Sequence, residues 1–361
     1  MDAGRRFRTA LALTLVWLGV AAARGDEPAE ADPVDFETLS IVERAEWVAR
    51  AQRGRTTSRE EAGIVEVFLS TSGLELTELK DRIDAGNDHR DLQQLVYHDL
   101  DDAGLREALI AHLRREAEAV RKRHGGQGVK LLSDIDDTIY PNFGDRRTWS
   151  LVDAAYPGVV AFYQALTGPA PPGRSRLTLV SARPYERTGL VERHGGRTLR
   201  KLGLPPHSIL SGDAWSVASL LPGRLGERGN AKIGAAKLRN FQQWSELMGE
   251  YDFVISGDRT QADHEFAAEA LALDGGRVLA AFIHDVGDRP RREARRLYYN
   301  DTVLGHALDA FAGGWIDRSG LARVREAVAA GQAAGVYPPE LEGAVARDLA
   351  RAAADQANGS R

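Results

Sequence analysis

The chain has 361 residues, 47 Lys and Arg against 52 Asp and Glu, a formal net charge of −5 and no cysteine. That length allows a substantial core and two domains. The acidic balance excludes a nucleic-acid or polyphosphate sponge, and the missing cysteines exclude a disulfide framework, so stability must come from packing.

Arg5, Arg6 and Arg8 precede an apolar stretch, Thr9–Ala23, that ends in small residues and turns acidic at Asp26 and Glu27. A charged start, a short apolar middle and a small-residue end read as a secretory signal over residues 1–25, with an uncleaved N-terminal membrane anchor as the alternative. The expected location is therefore exported, periplasmic or secreted. Removal of 1–25 would leave 43 basic against 51 acidic residues. Residues 26–34 form a Pro- and acid-rich leader. From about 36 to 122 the chain reads as helices: Phe36, Leu39, Val42 and Trp47 recur at helical spacing, as do Leu92, Leu95, Val96 and Leu100, then Leu105, Leu109, Leu113 and Ala117. Ile64–Leu69 is strand-like and equally compatible with a buried helix. This gives a largely α N-terminal domain over 26–125, without recognisable chemistry, and His124–Gly128 is the boundary loop.

From 129 onward the pattern alternates: strand 129–134, helix 158–167, strand 177–182, helix 185–202, helix 231–248, strand 252–257, helix 262–273 and strand 278–284. Such alternation predicts an α/β fold, a parallel sheet with helices on both faces. Ligands in such sheets bind beyond the carboxyl ends of the strands. The acidic clusters fall at those ends. Val129-Lys-Leu-Leu-Ser-Asp134 runs into Ile135-Asp136-Asp137-Thr138, and Tyr251-Asp-Phe-Val-Ile-Ser-Gly-Asp258 is followed by Asp263. Clustered carboxylates are costly to bury unless a counter-charge neutralises them, and hard Mg²⁺ is the simplest candidate. Asp134 and Asp136, two apart, project from one side of extended backbone. Gly257 is read as allowing a tight turn before Asp258. A third strand ends in the hydroxyl of Ser181, and Lys237 lies on the expected helix 231–248 with Lys232 as its competitor. The bland alternative for Asp136-Asp137-Thr138 is a helix cap, and for Asp263 likewise.

The order Asp, Ser, Lys, Asp resembles the haloacid dehalogenase superfamily of phosphatases. Ser133-Asp-Ile-Asp-Asp-Thr-Ile139, Val180-Ser-Ala-Arg-Pro184, Gly257-Asp-Arg-Thr-Gln-Ala-Asp263 and Ala281-Phe-Ile-His-Asp-Val286 look like the catalytic domain of phosphatidate phosphatases of the actin-patch-associated type, over roughly 129–317. The resemblance implies a haloacid-dehalogenase-like (Rossmannoid) sheet with a minimal cap over 126–317, and leaves 318–361 as a helical extension and tail, disordered from about Asp355. It implies Asp134 as nucleophile forming an aspartyl-phosphate, Asp136 as general acid/base, Thr138 ordering the loop, Ser181 bonding a phosphate oxygen and Lys237 offsetting charge. It implies a Mg²⁺ site made from Asp134, Asp136, Asp258 and Asp263, and a phosphorylated lipid or other phosphomonoester as substrate. Arg259-Thr260 and Arg183-Pro184 depart from the family's usual residues at the pocket rim.

No P-loop, His-x-x-x-His pair or nucleophile elbow occurs, and Asp99–Gly104 fails as a calcium loop because the twelfth position is Ile110. His264 and His284 are read as ordinary surface or hydrogen-bonded histidines. The segments 138–158 and 205–230 are too short for a large folded lid, which suits a substrate presented on a membrane or macromolecule. The alternative is that the N-terminal helices serve as the lid. Residues 289–330 read as helical, so that Arg292, Arg295 and Arg296 would form a basic stripe, read first as a solvated helix face and alternatively as a peripheral contact with an anionic membrane.

Overall fold

The computed structural model describes residues 34–358 apart from 185–198, 213–226 and positions 89, 143, 148, 152–153, 170, 200 and 274–275. The expected signal segment and most of the expected helix 185–202 lie outside the described residues. So does 213–226, on which the expectation of a small cap partly rests.

Six strands, β1 (Val129–Asp134), β2 (Leu177–Pro184), β3 (His207–Gly212), β4 (Asp252–Asp258), β5 (Val278–His284) and β6 (Leu297–Asn300), form one sheet in the order β3-β2-β1-β4-β5-β6. Every pairing is parallel. Both faces are covered, which is why the central strands read as apolar runs such as Phe253-Val254-Ile255 and Ala280-Ala281-Phe282 instead of alternating. The α/β expectation is met.

The helical N-terminal region contains α1 (Ile41–Ala51), α2 (Ser58–Leu69), α3 (Gly73–Ile83) and α4 (Ala103–His124). Ser40 with Glu43 and Thr57 with Glu60 form capping boxes that start α1 and α2. Ile64–Leu69 thus belongs to a helix, because the Thr57 cap and the buried spacing of Ile64, Val65 and Phe68 outweigh local β propensity. Val42 is exposed, outside the apolar stripe it was expected to join. The following helices are α5 (Val159–Thr167), α6 (Glu227–Leu247), α7 (Asp263–Leu273), α8 (Val303–Ala312), α9 (Arg318–Ala333) and α10 (Pro339–Asn358).

The sheet separates two cores. On one face Leu132, Phe253, Ile255 and Ala281 pack with Phe241 and Trp244 of α6, Phe266 of α7 and the N-terminal helices. On the other, Leu131, Val254 and Phe282 pack with Phe162 of α5, Leu304 of α8 and Val324 of α9. The N-terminal region therefore shares a core with the sheet.

Three elements differ from expectation. His207–Gly212 is an edge strand within a segment that lacks sequence periodicity. Its outer edge is covered by the chain at 87–88: Asn87 N donates to His207 O at 2.8 Å and Ile209 N to Asp88 O at 3.0 Å. Leu297–Asn300 is a strand where helix was expected, since its Tyr pair favours extended backbone and pairs with Phe282 and Ile283. Residues 291–294 before it have no regular structure, and Arg296 has φ 69°, so Arg292, Arg295 and Arg296 form no helical stripe. Finally, α10 continues through Asn358, because Leu341, Val345 and Ala352 anchor it in the second core. Among the described residues no helix is long and apolar enough to cross a membrane.

Candidate functional site

Asp134 and Asp258 are the last residues of the adjacent strands β1 and β4, and Asp263 is the first residue of α7. Parallel pairing brings the two strand ends to the same edge, and the five-residue path to α7 folds Asp263 back onto them. Each of the three carboxylates is buried and offers one oxygen to a group whose atoms all lie within 4.8 Å of one another. Lys237, facing the sheet from α6, bonds Asp134 Oδ1 at 2.7 Å and also Asp263. Lys232 is exposed, so position alone decides between the two lysines. Alternation along β1 sets this up: Leu132 and Asp134 face α6, whereas Ser133 turns to the other layer and bonds Tyr163 on α5 at 2.6 Å.

The charge balance is unfavourable. Burial, then the Asp263 charge, pushes the Asp134 carboxyl up to about 8 despite Lys237. Burial raises Asp258 well above the usual carboxylate range too, with Asp263 and Asp134 adding to it. Burial opposes the charge on Lys237, but the two carboxylates outweigh it and raise its pKa. Among the described residues, one ammonium thus stands against three carboxyl groups. Asp134 Oδ2 and Asp263 Oδ2 are buried without a hydrogen-bond partner. Orphaned oxygens on an all-oxygen donor set fit a hard divalent cation, and among the described residues no other cationic side chain pairs with them.

Asp258 is oriented by hydroxyls. Its Oδ1 accepts from Thr260 N and Thr260 Oγ1, both at 2.5 Å, and its Oδ2 from Thr138 Oγ1 at 3.3 Å. Thr138 thereby links the two acidic segments. Gly257 has a reason other than the expected turn: it lies within β4, and a Cβ there would stand 2.6 Å from Asp263 Cβ. Its missing side chain is the space Asp263 occupies. Ser181 lies in the carboxyl-terminal half of β2, next to Val180, the register partner of Asp134.

Asp136 is not in the carboxylate group. Its Oδ1 accepts from Asn142 Nδ2 at 2.7 Å and Tyr140 OH at 3.1 Å, so the three gathered carboxylates are Asp134, Asp258 and Asp263 without it. The expected four-residue metal set is corrected accordingly as regards side chains. Asp137 is neither a helix cap nor a ligand. Its carboxylate accepts from the backbone N–H groups of Asn142 (2.7 Å), Gly144 (2.7 Å) and Asp145 (3.0 Å), gathering the following loop around itself.

Sequence reasoning missed the residues that hold this loop. Asp145 accepts from Arg147 Nε (2.7 Å), Arg147 Nη2 (2.8 Å), Trp149 Nε1 (2.7 Å) and Tyr156 OH (2.7 Å). Burial opposes its ionisation, yet Arg147 and Tyr156 outweigh that and hold its carboxyl down to about 2. The acid–Arg-Arg run followed by Trp149 and Tyr156 was the available signal. At the rim, Arg259 pairs with Asp285 at 2.5 Å and donates to the carbonyls of Gly287 (2.9 Å) and Arg289. It straps the arginine-rich segment onto the loop after β4. His264 and His284 are both buried.

The N-terminal helices are no lid. Lys80 of α3 donates to Leu247 O and Glu250, Asp81 pairs with Lys130 at 3.0 Å, and Asp81 O accepts from Ser175 N at 3.0 Å. Those partners lie at the amino ends of β1, β2 and β4, the edge opposite the carboxylates. The apolar stripe and these buried ion pairs fix that docking.

No family model, no curated protein and no solved structure matches the chain.

Proposed function

We propose that this protein is a Mg²⁺-dependent phosphomonoesterase of the haloacid dehalogenase type. The observation that carries the reading is Lys237 bridging Asp134 and Asp263 beside Asp258, a buried group of three carboxyls with a single ammonium at the carboxyl edge of a parallel sheet. Asp134, Asp258 and Asp263 would hold the cation, which would supply charge neutralisation for phosphate oxygens.

Asp134 attacks phosphorus, forming a carboxylate oxygen–phosphorus bond as the ester oxygen–phosphorus bond breaks. Asp136 gives its proton to the departing alkoxide. A water then attacks the aspartyl-phosphate and yields its proton to Asp136, which releases inorganic phosphate and regenerates Asp134. Lys237 holds Asp134 in place and keeps positive charge beside the transferring group. Ser181 is assigned to a phosphate oxygen and Thr138 to the order of the loop and of Asp258. Phosphatidate-like lipids are the leading substrate class by the sequence resemblance, with phosphates on proteins or sugars as the alternative within enzymes. Export by the N-terminal segment belongs to the same reading.

The test is hydrolysis of a soluble aryl phosphate by the protein lacking 1–25, with Mg²⁺ and with EDTA, alongside phosphatidate vesicles. Mg²⁺-dependent turnover sustains the reading, and faster release from vesicles supports the lipid assignment. Phosphatidate binding without turnover of either substrate would leave a non-catalytic lipid-binding module instead.

A further inference from the structure

His284 ends β5, next to Asp258 in the sheet register, and is buried. Its Nδ1 lies 2.8 Å from the Asp137 carbonyl and its Nε2 lies 3.1 Å from Arg147 Nη2. A carbonyl only accepts and a guanidinium only donates, so these two contacts assign the proton to Nδ1 with Nε2 accepting from Arg147, beside the backbone of Asp301. Burial, then the Arg147 charge, holds the imidazole down to about 4, which keeps it neutral. The Tyr156 ring packs edge-on against it at 4.6 Å.

These contacts close a ring. Asp137 O accepts from His284, His284 accepts from Arg147, Arg147 donates to Asp145, and Asp145 N donates back to Asp137 Oδ1. Asp137 is thus gripped through both backbone and side chain, which holds it at φ 58°, a left-handed conformation that costs a non-glycine residue energy. The immediately preceding residue is Asp136. The ring reaches its carboxylate through Asn142, whose backbone N–H is bound by Asp137 Oδ1 and whose Nδ2 donates to Asp136 Oδ1.

We propose that His284 is a positioning residue: through the Asp137 carbonyl and the loop 137–145 it sets the orientation of the Asp136 carboxyl for proton transfer. This rests on the reading of Asp136 as the acid/base. Distance does not make His284 a reacting group, since both its nitrogens are occupied by Asp137 and Arg147.

The experiment uses His284→Gln, His284→Asn, Asn142→Ala and the double variant His284→Gln/Asn142→Ala. An Asn amide nitrogen stands where Nδ1 stands and keeps the donor to Asp137 O, whereas a Gln amide is displaced towards Nε2. A general acid matters for an alkoxide leaving group and little for nitrophenolate. kcat/KM, which reports the first phosphoryl transfer, is therefore compared for an alkyl phosphate and p-nitrophenyl phosphate. His284→Gln is expected to lose about tenfold or more on the alkyl ester relative to the nitrophenyl ester, a fraction of the ~100-fold or greater contribution of general acid catalysis. His284→Asn should recover most of that loss. The double variant should lose no more than the larger single loss, since both act through one path. Equal losses on the two esters, or additive losses, would overturn the proposal. Asn142→Ala gives the same leaving-group test should His284→Gln not fold, with an equal loss on both esters again counting against it.

A readout independent of turnover is the side-chain amide resonance of Asn142, expected to keep its hydrogen-bonded shift in His284→Asn and lose it in His284→Gln. Should the wild-type protein hydrolyse neither ester, the phosphatase reading falls. The amide shift then decides by itself whether His284 holds Asn142 against Asp136, and an unchanged shift in His284→Gln overturns that.

Discussion

The two edges of the sheet each bury a cluster of charges, and they are built on opposite principles. At the amino edge Lys80 pairs with Glu250 at 2.7 Å and Lys130 with Asp81 at 3.0 Å, two cations against two anions. Tyr251 OH also donates to Asp81 at 2.6 Å and Lys130 to Ser175 O at 2.9 Å, while Asp81 Oδ1 and Glu250 Oε1 face the two ammonium groups. Asp84 beside them is pushed towards the neutral form by burial and accepts from Leu92 N at 2.9 Å. At the carboxyl edge, among the described residues, one cation faces three carboxyl groups, and burial with mutual repulsion pushes Asp134 and Asp258 towards the neutral form. A balanced cluster stabilises a docking interface. One short of positive charge must take up protons or a cation, which suits a candidate site.

The largest expected effect breaks this comparison at the carboxyl edge. Asp134→Asn should lower turnover by at least ~1,000-fold, since the amide cannot act as nucleophile, yet near pH 7 the metal-free protein should melt no lower than wild type because the amide replaces a carboxyl that burial already favours in its neutral form. A lower melting temperature would mean Asp134 is structural. The same variant carries a pH test. Asp134 is raised to about 8 in the fold against ~3.9 unfolded, so the folded state binds the extra proton between those values. Its contribution therefore favours folding at low pH and is lost as pH rises through about 8. Metal-free stability should fall over that window in wild type and fall less steeply in Asp134→Asn, by urea titration at a series of pH values.

Lys80→Met is the mirror experiment. It strands Glu250 without its partner in the core, and should cost ~3–5 kcal/mol of stability in denaturant unfolding. Mg²⁺ affinity by calorimetry should be unchanged. A matched loss of metal binding would mean the two edges are coupled. Next in size, Lys237→Met should remove orders of magnitude in rate while Lys232→Met does almost nothing, in keeping with buried and exposed positions. Gly257→Ala sharpens the geometry further, because a methyl 2.6 Å from Asp263 Cβ must displace it. We expect ~1–3 kcal/mol of overpacking cost and weaker Mg²⁺ binding, read by melting with and without the ion.

The smallest effect concerns the rim. Arg259, Arg289 and Arg291 are engaged with Asp285 and Glu265, which leaves exposed Arg292 and Arg295 as the remnant of the basic stripe. Reversing both to Glu should weaken binding to anionic vesicles by ~1 kcal/mol each at low salt, and leave hydrolysis of a soluble aryl ester unchanged. Unaltered vesicle binding would remove this face from membrane contact.

The acidic strand ends, the alternation from 129 to 284 and the amphipathic spacing of α4 were legible in the sequence. Each is local: a carboxylate where an apolar run stops, or apolar residues at a fixed period, shows itself without partners. Tertiary structure decided the rest. Lys237 separates from Lys232 only by which side of α6 meets the sheet. Asp137, Asp145, Arg147 and His284 form their ring through partners up to 147 residues apart, and no periodicity marks them. β3 and β6 are edge strands whose pairing comes from neighbours, so their own short runs carried little signal. The N-terminal helices could have covered the site, and nothing in their spacing said otherwise. Buried pairing of Lys80 and Asp81 with Glu250 and Lys130 placed them at the far edge, because charges that leave water must find their opposites wherever the fold puts them.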